Sequence, residues 1–169
     1  VLVRGGAGYV GSHTCKYLAK NGFTPITIDR DLRTKFKPVS FGPSFDINLP
    51  QEIERLEEVI KRFNITSCIH FAGSASVAES VKNPSEYYKN NVIATITLLD
   101  KLIECGVKTF VYSSSAATYG DPGMKKCKET DVPKPISAYG ASKLMIEMIC
   151  SNYMLAYGLS SVGLRYFNA

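Results

Sequence analysis

Tryptophan is missing from the sequence, and histidine is nearly so, with only His13 and His70. No apolar run approaches the roughly 18–20 residues that cross a bilayer, so no membrane partner is expected. The two histidines fall in different elements, which argues against a zinc site; no metal is expected. The five cysteines, Cys15, Cys68, Cys105, Cys127 and Cys150, are odd in number, scattered and without a C-x-x-C pair. They read as small core side chains in a reducing compartment, so the cytoplasm is the expected location. No signal peptide is expected, and Val1-Leu2-Val3 already reads as a buried strand without a starting Met, as if clipped at its front.

Of the net charge of +5, part comes from Arg30, Arg33, Lys35 and Lys37 and part from Lys125, Lys126 and Lys128. Both stretches carry loop residues and neither interleaves bases with aromatics, so nucleic acid is not an expected partner. What remains is the composition of a soluble globular protein, 45% apolar and 21% charged. A length of 169 residues suits one well-packed domain, read here as 1–169.

Short β-branched runs alternate with longer helical ones along the chain. Strands are expected at 1–4, 24–29, 39–45 (weak, interrupted by Gly42 and Pro43), 67–71, 109–113 and 161–167. Helices are expected at 9–21, at 51–63 with Ile53, Leu56, Ile60 and Phe63 on one face, at 84–105 behind Pro84, and at 139–157 before Gly158. That alternation predicts an α/β, doubly wound parallel sheet of the Rossmann type. The one long connection without its own pattern, 119–137, has the length of a functional loop.

Between the first strand and its helix stands Gly5-Gly6-Ala7-Gly8-Tyr9-Val10-Gly11. Such a turn needs one residue without Cβ to bend, another to admit a pyrophosphate and a third for close helix–strand packing. The free N–H groups at the helix start then hold the anion. Asp29, 18 residues past Gly11 at the end of the second strand, is placed to accept hydrogen bonds from ribose hydroxyls. NAD is therefore the expected cofactor, with NADP left open by the neighbouring Arg30.

In Tyr139-Gly140-Ala141-Ser142-Lys143 the phenol and ammonium are four residues apart and share a helix face. A free phenol, with a pKa near ~10, is a poor base at neutral pH. A cation one turn away favours the phenolate. Ser115, following the fifth strand, emerges at the carboxyl edge where ligands bind in such sheets. Ser115, Tyr139 and Lys143 are the candidate catalytic residues.

These motifs resemble the UDP-glucose 4-epimerase family of extended short-chain dehydrogenases/reductases along the whole chain. The similarity also takes in Asp46-Ile47, His70-Phe71-Ala72-Gly73, Glu86-Tyr87-Tyr88-Lys89-Asn90-Asn91, Ser113-Ser114-Ser115-Ala116-Ala117-Thr118-Tyr119-Gly120 and Leu164-Arg165-Tyr166-Phe167-Asn168. The resemblance implies epimerisation at C4 of a UDP-hexose through a 4-keto sugar. It implies cofactor contacts from Gly5, Gly8, Tyr9, Val10, Gly11, Asp29, Asp46, Ile47, Phe71, Ala72, Gly73, Asn90, Ser113, Tyr139, Lys143 and Tyr166. Substrate contacts are implied for Ser115, Tyr139 and Asn168. It further implies a homodimer through the helices near 84–105 and 139–157, with Tyr87, Val92, Leu98, Leu99 and Met148 as interface candidates.

The chain departs from the family at Arg4, where Thr is usual, and at Ala75, where some members carry a cofactor-contacting Lys. It also ends where the family continues into a substrate-binding lobe, so the residues given are expected to be inactive alone. Ala116-Ala117 lacks the acid and base that a 4,6-dehydratase needs. Other UDP-sugar 4-epimerases, acting on arabinose/xylose or N-acetylhexosamine, stay open, as does a non-catalytic NAD-binding scaffold.

Overall fold

A computed structural model describes residues 1–30, 41–123 and 126–168. Six parallel strands, β1 (Leu2–Arg4), β2 (Ile26–Asp29), β3 (Ser44–Asp46), β4 (Ser67–His70), β5 (Thr109–Ser115) and β6 (Ser160–Tyr166), form one sheet in the order β3-β2-β1-β4-β5-β6. The chain winds outward from β1 in one direction and returns to build β4 on its other side. This leaves a crevice at the carboxyl ends of β1 and β4, the switch point where such sheets take ligands.

Among the described residues the α-helices are α1 (Tyr9–Lys20), α2 (Ile53–Arg62), α3 (Val77–Lys82), α4 (Pro84–Tyr87), α5 (Ala94–Glu104) and α6 (Ala138–Tyr157). In α2 the spacing of Leu56, Val59 and Ile60 buries one stripe. From α5, Leu98, Leu99 and Leu102 are fully buried, each contributing about 1.5–3 kcal/mol. They pack with Leu2, Ile26, Ile28, Cys68, Phe110 and Ile146 into a continuous core. Ser137 caps α6 by accepting the Gly140 N–H at 3.1 Å, and Gly158 ends it in the left-handed region at φ 69°. The cysteines are free, and burial pushes the Cys68 and Cys150 thiols up to about 12, so these two are unreactive.

Most element ends fall within two residues of the sequence expectation, and the main departures are these. The helix expected at 84–105 is interrupted by a π-helical segment, Tyr88–Ile93, between α4 and α5. The widened turn lets Asn91, a polar side chain, point into the interior, which an unbroken amphipathic helix would not allow. The helix α3 was not expected, although Ser76 accepts the Glu79 N–H at 3.2 Å in an S-x-x-E cap legible in the sequence. Strand β3 begins only after Pro43; residues 39 and 40 of the expected strand lie outside the described residues. Strand β5 continues two residues past the expected end, to Ser115, because β6 pairs with it that far. Among the interface candidates, Tyr87, Leu98 and Leu99 are interior residues of this chain, Val92 is half-buried, and Met148 is 61% exposed.

Candidate functional site

Strand β1 ends at Arg4 and the chain turns through Gly5 at φ 82°. The Gly5 N–H donates to the Ile28 carbonyl at 2.9 Å, and the Gly8 N–H donates to the Gly5 carbonyl at 3.1 Å. A Cβ on Gly5 would stand 2.5 Å from the Ala72 nitrogen, and one on Gly11 would stand 2.1 Å from the Gly5 oxygen. Helix α1 therefore starts hard against the turn. Its Gly8 cap has no side-chain acceptor and its first turn has no acidic residue, so its leading N–H groups remain available to an anion.

Asp29 closes β2 beside this turn. Its Oδ2 accepts the Ala7 N–H at 3.1 Å and its Oδ1 the Arg30 N–H at 2.8 Å. Burial raises its pKa, and the two N–H groups oppose that rise. Each carboxylate oxygen keeps a lone pair for a further donor.

Two adjoining cavities run along the carboxyl edge. The smaller, about 240 Å³, is bounded by Gly5, Gly8, Asp29, Ile47, Phe71, Ala72, Gly73 and Asn90. The larger, about 540 Å³, is bounded by Tyr9, Val10, Gly11, Ser113, Ser115, Tyr139, Lys143 and Tyr166. They share Gly5, Gly8, Phe71, Gly73 and Ser74, so one groove joins the glycine turn to the Tyr–Lys helix. Of the expected contacts, Asp46 and Asn168 line neither cavity. Asp46 ends β3 opposite Asp29, and it is the next residue, Ile47, that enters the groove.

Tyr139 and Lys143 lie in the opening turns of α6. Lys143 Nζ donates to the Ser113 carbonyl at 2.9 Å and to Ser113 Oγ at 3.2 Å, and stands 6.0 Å from the centre of the Tyr139 ring. Burial, reinforced by the charge of Arg4, lowers the Lys143 ammonium to about 8. Ser115 Oγ accepts the Ala117 N–H at 3.1 Å, so its own proton is free to be donated elsewhere. A Cβ on Gly140 would meet the Ala117 oxygen at 2.4 Å, so the glycine lets α6 close onto the turn Ala116–Thr118. Tyr87 meets the Tyr139 ring edge-on at 6.5 Å and anchors its own hydroxyl on the Ser76 carbonyl at 2.7 Å.

Sequence reasoning missed the brace behind these residues. Asn91 Nδ2 donates to Ser142 Oγ at 3.0 Å and to the Ser74 carbonyl at 3.0 Å, while its Oδ1 accepts the Ser74 N–H at 2.8 Å. Asn91 thereby ties α6 to the segment after β4. The signal was a second asparagine beside Asn90 in an otherwise helical run. Among the described residues no three His, Cys, Asp or Glu side chains group to hold a metal, and no helix is long and apolar enough to cross a membrane.

Comparison with known proteins agrees with this layout. The UDP-glucose 4-epimerase of Rhizobium leguminosarum bv. trifolii is 42% identical over 169 residues, all of this chain and 51% of that protein. The crystal structure of UDP-glucose 4-epimerase from Brucella ovis in complex with NAD superposes with a TM-score of 0.92 at 40% identity, over 99% of this chain and 51% of that one. The UDP-Glc/GlcNAc 4-epimerase of Campylobacter jejuni superposes with a TM-score of 0.89 at 34% identity, over 99% of this chain and 53% of that one. The chain thus spans about half the length of the curated relatives it matches. The NAD dependent epimerase/dehydratase family matches across residues 1–169, and the chain belongs to that family.

Proposed function

We propose that this chain forms the cofactor-binding and catalytic part of an NAD-dependent UDP-hexose 4-epimerase that interconverts UDP-glucose and UDP-galactose. The observation that carries the reading is the single groove joining the uncapped glycine turn to Ser115, Tyr139 and Lys143. A scaffold that only bound a dinucleotide would have no use for a lysine buried beside a tyrosine at the groove's far end.

The residues present suit the cofactor. Gly5 and Gly11 let Ala72 and helix α1 close onto the turn that would hold a pyrophosphate, Asp29 would accept the adenosine ribose hydroxyls, Ile47 would flank the adenine, and Phe71, Ala72 and Gly73 would line the pyrophosphate and ribose. Asn90 and Ser113 complete the cofactor contacts, with Tyr166 beside the nicotinamide. NAD, when bound there, supplies the acceptor and later the donor of a hydride.

The chain's own groups handle the proton. Tyr139, as phenolate, takes the proton of the sugar 4-hydroxyl during oxidation to the 4-keto sugar and returns it to the same oxygen when the keto sugar, turned over in the site, is reduced on the opposite face of C4. The Lys143 ammonium favours the phenolate. The Ser115 hydroxyl donates to the same sugar oxygen. Asn168, two residues past Tyr166, would contact the substrate phosphates in the intact protein.

The protein is further read as a cytoplasmic homodimer packed through α6 and the helices near 84–105, on which Met148 and Ile93 are exposed. The test is conversion of UDP-galactose by the intact protein without added NAD. Turnover with NAD retained is expected. Retained NAD without interconversion of either UDP-hexose or its N-acetylated counterpart would rule the reading out.

A further inference from the structure

The charged side chains buried among the described residues are both cations, Arg4 and Lys143, and no carboxylate is buried with them. Lys143 spends its charge on Ser113, beside Tyr139. Arg4 has no such explanation. It ends β1, is 8% exposed, and its guanidinium donates to the Ala94 carbonyl at 3.3 Å at the start of α5.

No carboxylate among the described residues lies within ion-pair distance of Arg4. Asp29 is near enough to act on it electrostatically, but its oxygens face the Ala7 and Arg30 N–H groups. The strand neighbour, His70, offers no negative charge. Its Nε2 meets Thr95 Oγ1 at 3.0 Å, its Nδ1 has no partner, and burial keeps the ring neutral.

Burial lowers the guanidinium only to about 10, so it stays charged at neutral pH. A buried cation without a counter-charge destabilises the fold that holds it. Arg4 also borders the smaller cavity, together with Gly5 and Gly8 of the phosphate turn and with Asn90.

We propose that Arg4 is an electrostatic anchor of the cofactor cavity, a buried cation whose counter-charge is the pyrophosphate of the bound dinucleotide. The charge acts through the poorly screened interior beneath the glycine turn and needs no direct contact. It adds to the dipole and free N–H groups of α1, which face the same anion. Arg4 thus sets how tightly the anionic part of the cofactor is held, and among the described residues no ion pair neutralises it in the cofactor-free protein.

The inference rests on the dinucleotide reading above. Isothermal titration of the cofactor-free intact protein with NAD, ADP and adenosine tests both. Arg4→Gln keeps a donor for Ala94 and removes the charge. NAD and ADP should weaken about tenfold or more, with adenosine unchanged, and the cofactor-free melting temperature should stay level or rise. Arg4→Lys, which keeps the charge, should retain affinity within a few-fold of the parent. Equal NAD and ADP affinity in Arg4→Gln, or an equal loss for adenosine, would overturn the anchor. If Arg4→Gln does not fold, a tenfold loss of NAD affinity in Arg4→Lys would overturn it as well. Failure of the unmutated protein to bind either NAD or ADP would instead remove the dinucleotide reading.

Discussion

Lys143 crosses from α6 to the end of β5, where its ammonium donates to both the carbonyl and the hydroxyl of Ser113, at 2.9 and 3.2 Å. Two neutral acceptors hold the group in place without neutralising it. Its pKa falls from the ordinary lysine range to about 8, by burial first and the charge of Arg4 second. Below about pH 8 the folded chain carries a buried charge that the unfolded chain keeps in water.

Lys143→Met should therefore raise the melting temperature at pH 7 while abolishing turnover. The gain is on the order of 1–3 kcal/mol, from the fall of the ammonium from 10.5 to about 8, less the lost hydrogen bonds. The sign with pH is fixed by linkage. Between the folded value and the ordinary lysine value the unfolded chain binds the extra proton, so the unmutated protein gains stability as pH rises. The advantage of Lys143→Met should be largest below pH 8 and fade toward pH 10. Melting curves of both proteins at pH 7, 8.5 and 10 check this, and a variant less stable at pH 7 would contradict it.

Gly11→Ala tests the phosphate turn. The new Cβ would lie 2.1 Å from the Gly5 oxygen, which is backbone and cannot swing aside. Helix α1 must retreat from β1, at a cost of about 1–3 kcal/mol. NAD affinity should fall far more than this stability loss explains, because the retreat carries the helix N-terminus away from the anion. Denaturant melts and NAD titration on the same samples separate the two effects. Gly22→Ala is the contrast: its Cβ meets nothing within 4 Å, so only its φ of 81° is strained.

The sheet and most of the groove were legible because parallel strands and glycine turns leave local signatures. Val1-Leu2-Val3 reads as a strand buried on both faces, and Gly5, Gly8 and Gly11 are spaced for a turn whatever surrounds them. Asp29 and Ser115 were legible from position alone, since the ends of strands mark the ligand edge. The π-helical segment at Tyr88–Ile93 was not, because it is selected by a tertiary partnership. Asn91 turns inward to meet Ser74 and Ser142, residues 17 and 51 positions away. Arg4 could be recognised as unusual beside the glycines, but that no carboxylate among the described residues pairs with it depends on where Asp29 spends its hydrogen bonds.

Glu147→Gln probes the outer edge of the sheet. Glu147 on α6 accepts a bidentate pair from Arg165 on β6, Nε at 2.9 Å and Nη2 at 2.7 Å, and a further bond from the Ser114 hydroxyl. Burial pushes this carboxyl up, but the Arg165 and Ser114 hydrogen bonds outweigh it and hold the group below the usual glutamate range. Its stabilising effect is therefore fully present above the ordinary carboxylate pKa and is lost as pH falls through the lower folded value. Glu147→Gln should speed amide exchange in β6 at pH 7 by a few-fold to tenfold while sparing β1 and β4. As pH drops through that lowered value the two proteins should converge. Uniform acceleration across all strands would show that the contact supports global stability and not this edge.

Tyr139→Phe addresses the chemistry directly, in the intact protein. The substitution keeps the ring that packs edge-on against Tyr87 and lies beside Lys143. The fold and the cofactor cavity should therefore be unchanged. On the proposed mechanism the substitution removes the oxygen that takes the 4-hydroxyl proton, and turnover of UDP-galactose should fall by about 10²–10⁴, the usual worth of a general base. Ser115→Ala should be milder, because Tyr139 retains access to the sugar oxygen. Ser115 also accepts the Ala117 N–H, so its removal should loosen the turn at Ala116–Thr118 and cost about 1 kcal/mol of stability. The two variants thus separate proton transfer from positioning: one loses rate without stability, the other loses some of each. Steady-state rates, bound NAD per protomer and melting temperatures for both variants provide the comparison. Near-normal turnover by Tyr139→Phe with full NAD content would exclude the phenolate as base, and the proton would then have to pass through Ser115 or Lys143.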